Sequence, residues 1–338
     1  VKSLGVETAK KLHEFVQQGG KLICIETTPS KSLGFKDMQA RDQEVQTWMQ
    51  KIKALGSNFV FVEKPVDNKF LEWYQSFHQE QKLPKYVKIS EPNRFFMQNR
   101  YIRDDQSEFF FFQNAHRFNS HKTRIDFLSG VGKGKQAWIW DADTGERFQL
   151  KLDSANGFEH NFGPTESLLV VFDQSKGGEW YQPAKLDGAN KQNLNAGWEL
   201  ELKHAQENSS KKRQLAQLID MKLDDELRDF SGTAIYRKKV NVQNIKNQTL
   251  NLGQVFGITD LFINGQPVGV KWFGRRIYDI SKFLKPGSND IEIRVTTTMG
   301  NYLKTLKDNE NAQYWVNRPG REQEIQSMGI VGPVEIYN

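Results

Sequence analysis

Hydrophobic and polar residues alternate with period two in the last third of the chain. In SGTAIYRKKVNV from Ser231, Ile235, Arg237, Lys239 and Asn241 fall on one side. Ala234, Tyr236, Lys238, Val240 and Val242 fall on the other. That spacing predicts a β-strand. In DLFINGQPVG from Asp260, Asn264-Gly265 separates two apolar runs, Leu261–Ile263 and Val268–Val270. Asn-Gly supplies the positive φ angles of a tight hairpin, so a two-residue turn is expected there. In YDISKFLKPGSNDIEIRV from Tyr278, residues 285–290 read as a turn, and Ile291, Ile293 and Val295 as the next alternating strand. With a last strand over 334–337, the pattern describes an antiparallel β-sandwich.

The N-terminal pattern has a different period. Val6, Ala9, Leu12, Phe15 and Val16 are spaced for one face of a helix that Gly19-Gly20 ends, and Leu22–Ile25 reads as a short strand buried on both faces. Val45, Trp48, Met49, Ile52 and Leu55 repeat at helical spacing before the strand Phe59–Val62. Asp67 is placed to cap a third helix carrying Phe70, Leu71, Tyr74 and Phe77. Helix, strand, helix, strand implies a parallel sheet. Between these regions, the stretches from Tyr101, Ile125, Ala137, Arg147, Asn156 and Ser167 read as the short strands of a second sandwich, with Phe109–Phe112 buried on both sides. Gly177-Gly178 and Pro183 suggest a linker, followed by a strand in WELELKH from Trp198 and a polar stretch to Asp229 without firm pattern. The expected divisions are 1–90, 91–175 and 176–338.

These stretches also resemble known proteins. The C-terminal pieces, with LNLGQV from Leu250 and GIVGPVEI from Gly329, resemble the sugar-binding-type jelly roll of family 2 glycoside hydrolases and, more closely, the family 106 α-L-rhamnosidases. YIRDDQSEFFFFQN from Tyr101, WIWDADTGE from Trp138 and PTESLLVVF from Pro164 resemble the β-sandwich of family 106 in the same order. The first segment resembles the end of an amidotransferase-like accessory domain. The resemblance implies a multi-domain chain: a partial α/β (amidotransferase-like) segment, then two mainly antiparallel β-sandwiches, the last a galactose-binding-like jelly roll. It departs from the family over Thr298–Leu303, where Asn301 and Leu303 remain of an asparagine-tryptophan-asparagine-arginine-leucine pattern.

Charge and composition narrow the function. The net charge is +6, but 47 basic residues are dispersed among 41 acidic ones, so no nucleic-acid partner is expected. The densest basic cluster, Ser210–Arg213, reads as a solvated loop or helix surface. No run of 18 apolar residues is present, so no membrane-spanning helix is expected. The single cysteine, Cys24, has no disulfide partner within the chain and lies in an apolar strand, which favours a buried structural role over a nucleophile. Asp141, Asp143 and Glu146 read as a hairpin turn around Thr144-Gly145 rather than a calcium loop. His116 and His121, five apart, do not match a helical metal pair. Neither a metal nor a cofactor is implied.

A glycosidase needs two carboxylates facing the scissile bond, about 5 Å or about 6.5–9.5 Å apart, mounted on a large scaffold. No run of eight βα units occurs here. The resemblance places that barrel N-terminal in a longer chain, and with Val1 as its first residue this sequence is expected to be a cut piece or a mature form. The expected function is therefore the non-catalytic accessory region of an exported, periplasmic or cell-surface, glycoside hydrolase. Its partners would be carbohydrate and the parent catalytic barrel. A free-standing carbohydrate-binding module or a purely structural domain stays open. Sugar recognition wants an aromatic platform and planar hydrogen-bonding groups. Trp272, Arg275, Tyr314 and Trp315 are the candidates, with packing in the core or between domains as their other possible use.

Overall fold

In the first 84 residues, helices α1 (Val6–Gln17), α2 (Met38–Ala54) and α3 (Phe70–Glu80) alternate with strands β1 (Leu22–Ile25) and β2 (Phe59–Val62). The computed structural model describes residues 1–338 except 129, 184–185, 187–190, 207–209, 321 and 338 and the side chain of Asp67. It divides into two units, Val1–Pro84 and Lys85–Asn338. β1 and β2 pair in parallel, as the helix–strand alternation requires, with Leu22 opposite Phe59 and Cys24 opposite Phe61. Val16, Cys24, Val45, Met49 and Ile52 form the core. β1 is not buried on both faces as expected. Cys24 faces the helices and is buried, while Ile25 is 46 % exposed, because two strands leave their second face uncovered. Burial raises the Cys24 thiol pKa, which fits an inert core cysteine. Phe15 is half exposed rather than in the core. Its ring lies over Gly20, where a Cβ would come within 2.4 Å of it. On α3 only Phe77 is buried, with Phe70 and Tyr74 exposed. The expected cap at Asp67 lies outside the described side chains.

The second unit begins with β3 (Val87–Ile89), β4 (Phe96–Ile102), β5 (Glu108–Asn114), β6 (His121–Phe127), β7 (Gln136–Trp140), β8 (Arg147–Gln149), β9 (Gly157–Phe162) and β10 (Ser167–Asp173). They form antiparallel sheets in the order β4-β5-β10-β7-β8 and β3-β6-β9. Phe110, Phe112, Ile125, Phe127, Phe162, Val170 and Phe172 fill the space between. The run Phe109–Phe112 is corrected by this arrangement. Phe110 and Phe112 are fully buried, whereas Phe109 and Phe111 lie half buried on the other face of β5, since strand side chains alternate. Asp141 does turn the chain: its Oδ1 accepts the N–H groups of Asp143 and Thr144, and Gly145 sits at φ 74°.

The C-terminal strands are β11 (Lys191–Asn193), β12 (Ala196–His204), β13 (Ser210–Gln217), β14 (Gly232–Val242), β15 (Thr249–Asn251), β16 (Gln254–Phe256), β17 (Ile258–Ile263), β18 (Gln266–Lys271), β19 (Ile277–Asp279) and β20 (Gly287–Thr296). Helices α4 (Gly300–Thr305) and α5 (Glu310–Val316) precede β21 (Gly329–Gly332) and β22 (Glu335–Tyr337). A six-stranded sheet, β13-β12-β14-β20-β17-β18, and a four-stranded sheet, β11-β22-β15-β19, share one core that includes Trp198, Leu200, Tyr236, Leu250, Leu261, Ile293 and Ile336. A further pair, β16-β21, is separate. On the outward face Arg237 bridges Glu201 and Glu292, each at 2.6 Å. Ser210–Arg213 is neither loop nor helix. It begins β13, the sheet's edge, where exposed lysines discourage pairing with other chains. The stretch before Asp229 that lacked a pattern holds this strand and a short turn of 3₁₀ helix at Met221–Leu223.

The Asn264-Gly265 turn forms as expected, with φ 52° and 76° and Ile263 opposite Gln266. A Cβ on Gly265 would meet no atom within 4 Å, so a side chain there is penalised only through the backbone. Gly265→Val is expected to lower stability by about 1–3 kcal/mol, the cost of a β-branched residue at positive φ. An unchanged midpoint in urea would contradict this.

Candidate functional site

The loop that joins β18 to β19, KWFGRR from Lys271, is built against the middle sandwich. Trp272 leaves the sheet edge, its ring 60 % exposed, and its Nε1–H points to Asp143 Oδ1 at 3.4 Å. Gly274, at φ 68°, donates its N–H to the Pro164 carbonyl at 2.9 Å. Gly163 faces the Arg275 backbone so closely that a Cβ would lie 2.5 Å from Arg275 N. Only glycine permits this approach without displacement.

Arg275 enters the same seam. Its side chain is 22 % exposed, and Nε lies 4.0 Å from Glu166 Oε2. Glu166 is the hub: Oε2 accepts the Gly163 N–H at 2.7 Å, and Oε1 lies 2.9 Å from His160 Nε2. Burial pushes the Glu166 carboxyl up, but His160, the Gly163 N–H and Arg275 outweigh it and hold it below the usual carboxylate range. Burial, followed by the charge of Glu166, pushes the Tyr181 hydroxyl up to about 12. Arg276 turns away. Its Nη1 donates to the Gly274 carbonyl at 2.7 Å and Nη2 to that of Gly257 at 3.2 Å, bracing the loop from behind.

Tyr314 and Trp315 lie elsewhere, on α5, 55 % and 68 % exposed, with ring centroids 5.7 Å apart and nearly perpendicular. Arg318 Nη1 donates to the Tyr314 hydroxyl at 3.1 Å. Neither Trp272 nor Trp315 is a core residue. The structure thus brings Trp272 and Arg275 into one loop with different partners, and Tyr314 and Trp315 into a second exposed pair. Among the described residues no hydrogen bond or ring contact joins the two pairs. Asp143, Glu166, His160 and Gly163 were not singled out as site residues. The signal available was PTESLLVVF, whose Glu stands one residue before an apolar strand, a place where a carboxylate is otherwise unexpected. No group of three metal-ligating side chains occurs among the described residues.

The architecture consists of an α/β unit and, after it in the chain, antiparallel β-sandwiches. No family model matches the chain. A protein of Formosa agariphila whose name calls it a β-glucuronidase is 30 % identical over 139 residues, covering 32 % of this chain and 12 % of that protein. The structure of a rhamnosidase from Novosphingobium sp. PP1Y matches 99 % of this chain with a TM-score of 0.57 and 19 % identity, and the match covers 32 % of that chain. The resemblance to rhamnosidases read in the sequence therefore holds as a likeness of fold over nearly the whole chain. The chain spans about a third of that rhamnosidase and about an eighth of the Formosa protein.

Glu166→Gln tests the seam. At pH 7 the substitution is expected to cost about 1–3 kcal/mol, since it leaves buried donors with a weaker acceptor. The folded-state pKa of Glu166 is depressed. Its contribution is therefore full above the unfolded carboxyl value of about 4.3 and is lost as the pH falls through the folded value. Urea titrations of both proteins from pH 7 downward should show the gap narrowing in acid. A gap independent of pH would contradict this.

Proposed function

We propose that the chain is a non-catalytic accessory region of a carbohydrate-active enzyme and touches saccharide through the loop at Trp272. The observation that carries this is an indole left 60 % exposed while its N–H is directed at Asp143 and the Phe273 ring meets it edge-on at 4.8 Å, so that the ring is oriented and still largely in solvent. Such an indole suits the C–H surface of a sugar ring. Tyr314 and Trp315 offer a second surface of the same chemistry. The finer reading belongs to the same proposal. It divides the chain at 1–90, 91–175 and 176–338, with an amidotransferase-like first segment and a galactose-binding-like jelly roll last. The parent enzyme is an exported α-L-rhamnosidase whose catalytic barrel is a separate region.

The carboxylates support a non-catalytic role. Glu201 and Glu292 are held by Arg237, and Glu108 by Arg100 and Lys135. A carboxylate committed to a cation is a poor proton donor at neutral pH. One observation favours the alternative of a purely structural domain. Arg275 is seated against Glu166, which removes part of its fork of donors from any ligand.

Two measurements test the proposal. The chain should release no p-nitrophenol from an aryl α-L-rhamnoside above a boiled control, and measurable release would overturn the non-catalytic reading. Titration with monosaccharides and pectin fragments should change the Trp fluorescence with a midpoint at about 0.1–1 mM, and Trp272→Ala should abolish that change. A fluorescence change of the same midpoint in the Trp272→Ala chain would remove Trp272 from the site.

A further inference from the structure

A second recess lies away from the Trp272 loop, between β12, the turn before β14 and α4. Its volume is about 240 Å³, and Leu202, His204, Lys211, Asp229, Phe230 and Tyr302 line it, with Glu226 at the rim. Clefts for drug-sized ligands run from about 300 to 1,000 Å³, so this one suits a single ring. Three rings make one side. His204 meets Tyr302 edge-on at 4.7 Å and Phe230 at 5.9 Å. Polar groups complete it: the Asp229 carboxylate, the Lys211 ammonium, the Tyr302 hydroxyl and the His204 ring.

The wall is preorganised by Asn301, which is buried. Its Nδ2 donates to the Arg228 carbonyl at 2.8 Å and to that of Gln326 at 2.9 Å, while its Oδ1 accepts the Gln326 N–H at 2.8 Å. Tyr302 follows Asn301 and Asp229 follows Arg228, so one amide fixes the backbone beside both. The charges narrow the ligand class. The rim carboxylate of Glu226 lies 3.6 Å from Arg213 Nη1, but Arg213 is shared with Asp224 at 2.9 Å. Among the described residues the recess therefore carries the Asp229 and Glu226 carboxylates and the Lys211 ammonium, which disfavours an anionic ligand and offers hydroxyls both acceptors and a donor.

We propose that this recess binds one neutral polyhydroxylated ring, a pyranose residue, with Tyr302 as its platform, Asp229 accepting from vicinal hydroxyls and Lys211 donating to them. The site uses none of the Trp272 loop and does not depend on it. The test is calorimetric titration of the full chain with methyl α-L-rhamnopyranoside, methyl β-D-glucopyranoside and methyl α-D-galactopyranoside, with glucuronate as the charged comparison. At least one neutral glycoside should saturate with a Kd of about 1–10 mM. Asp229→Asn and Tyr302→Ala should each weaken it about tenfold, and Trp272→Ala should leave it unchanged. Should Tyr302→Ala unfold the chain, Asp229→Asn, which conserves shape, decides alone. The proposal is overturned if no neutral glycoside saturates, if glucuronate binds more tightly than all three, or if Asp229→Asn leaves the affinity unchanged.

Discussion

A buried carboxylate governs the second unit. Glu166 immediately precedes β10; it accepts the Gly163 N–H, lies 2.9 Å from His160 Nε2 and has Arg275 Nε of the other sandwich 4.0 Å away. Removing a carboxylate from water costs several kcal/mol, and that cost is offset only where cations and N–H donors answer it. Here the hydrogen-bond donors come from the middle sandwich, and the charge of Arg275 comes from the last, whose core is separate. The Gly274 N–H to Pro164 carbonyl bond beside them fixes where the β18–β19 loop sits.

The proposed function rests on that constraint. A loop carrying an exposed tryptophan would ordinarily move freely, and ordering it on binding would weaken any ligand contact. The Gly274 and Asp143 contacts hold this loop before a ligand arrives. The arginine next to it supplies the hold rather than the recognition. The recess at Tyr302 repeats the logic on a smaller scale, with a buried amide as the fixed point in place of a carboxylate.

Much of this was legible in the chain. Period-two alternation located β14 and β20, and Asn264-Gly265 between two apolar runs fixed the turn after β17, because register and turn geometry are local properties. The likeness to rhamnosidases was carried by motifs whose order matters more than any one of them. What alternation could not reveal was burial that depends on neighbours. Ile25 is apolar and correctly spaced, yet lies half exposed because its small parallel sheet has one covered face, and Phe15 at the end of α1 lies half exposed over Gly20. Ser210–Arg213 looked like loop because an edge strand shows its polar side chains to water. The seam itself joins Glu166 to Arg275 across more than a hundred residues, a distance at which periodicity carries no information.

The most direct test of the seam is amide hydrogen exchange in the full wild-type chain. The N–H groups of Gly163 and Gly274 end on Glu166 and on the Pro164 carbonyl. If the two sandwiches are fused there, both amides open only with the strands behind them. They should then exchange in the same slow class as the amides of Val170 and Ile293 in the two cores. Exchange of the Gly274 amide at the rate of an open surface turn would contradict the account, since the loop would then be held by nothing but its own ends.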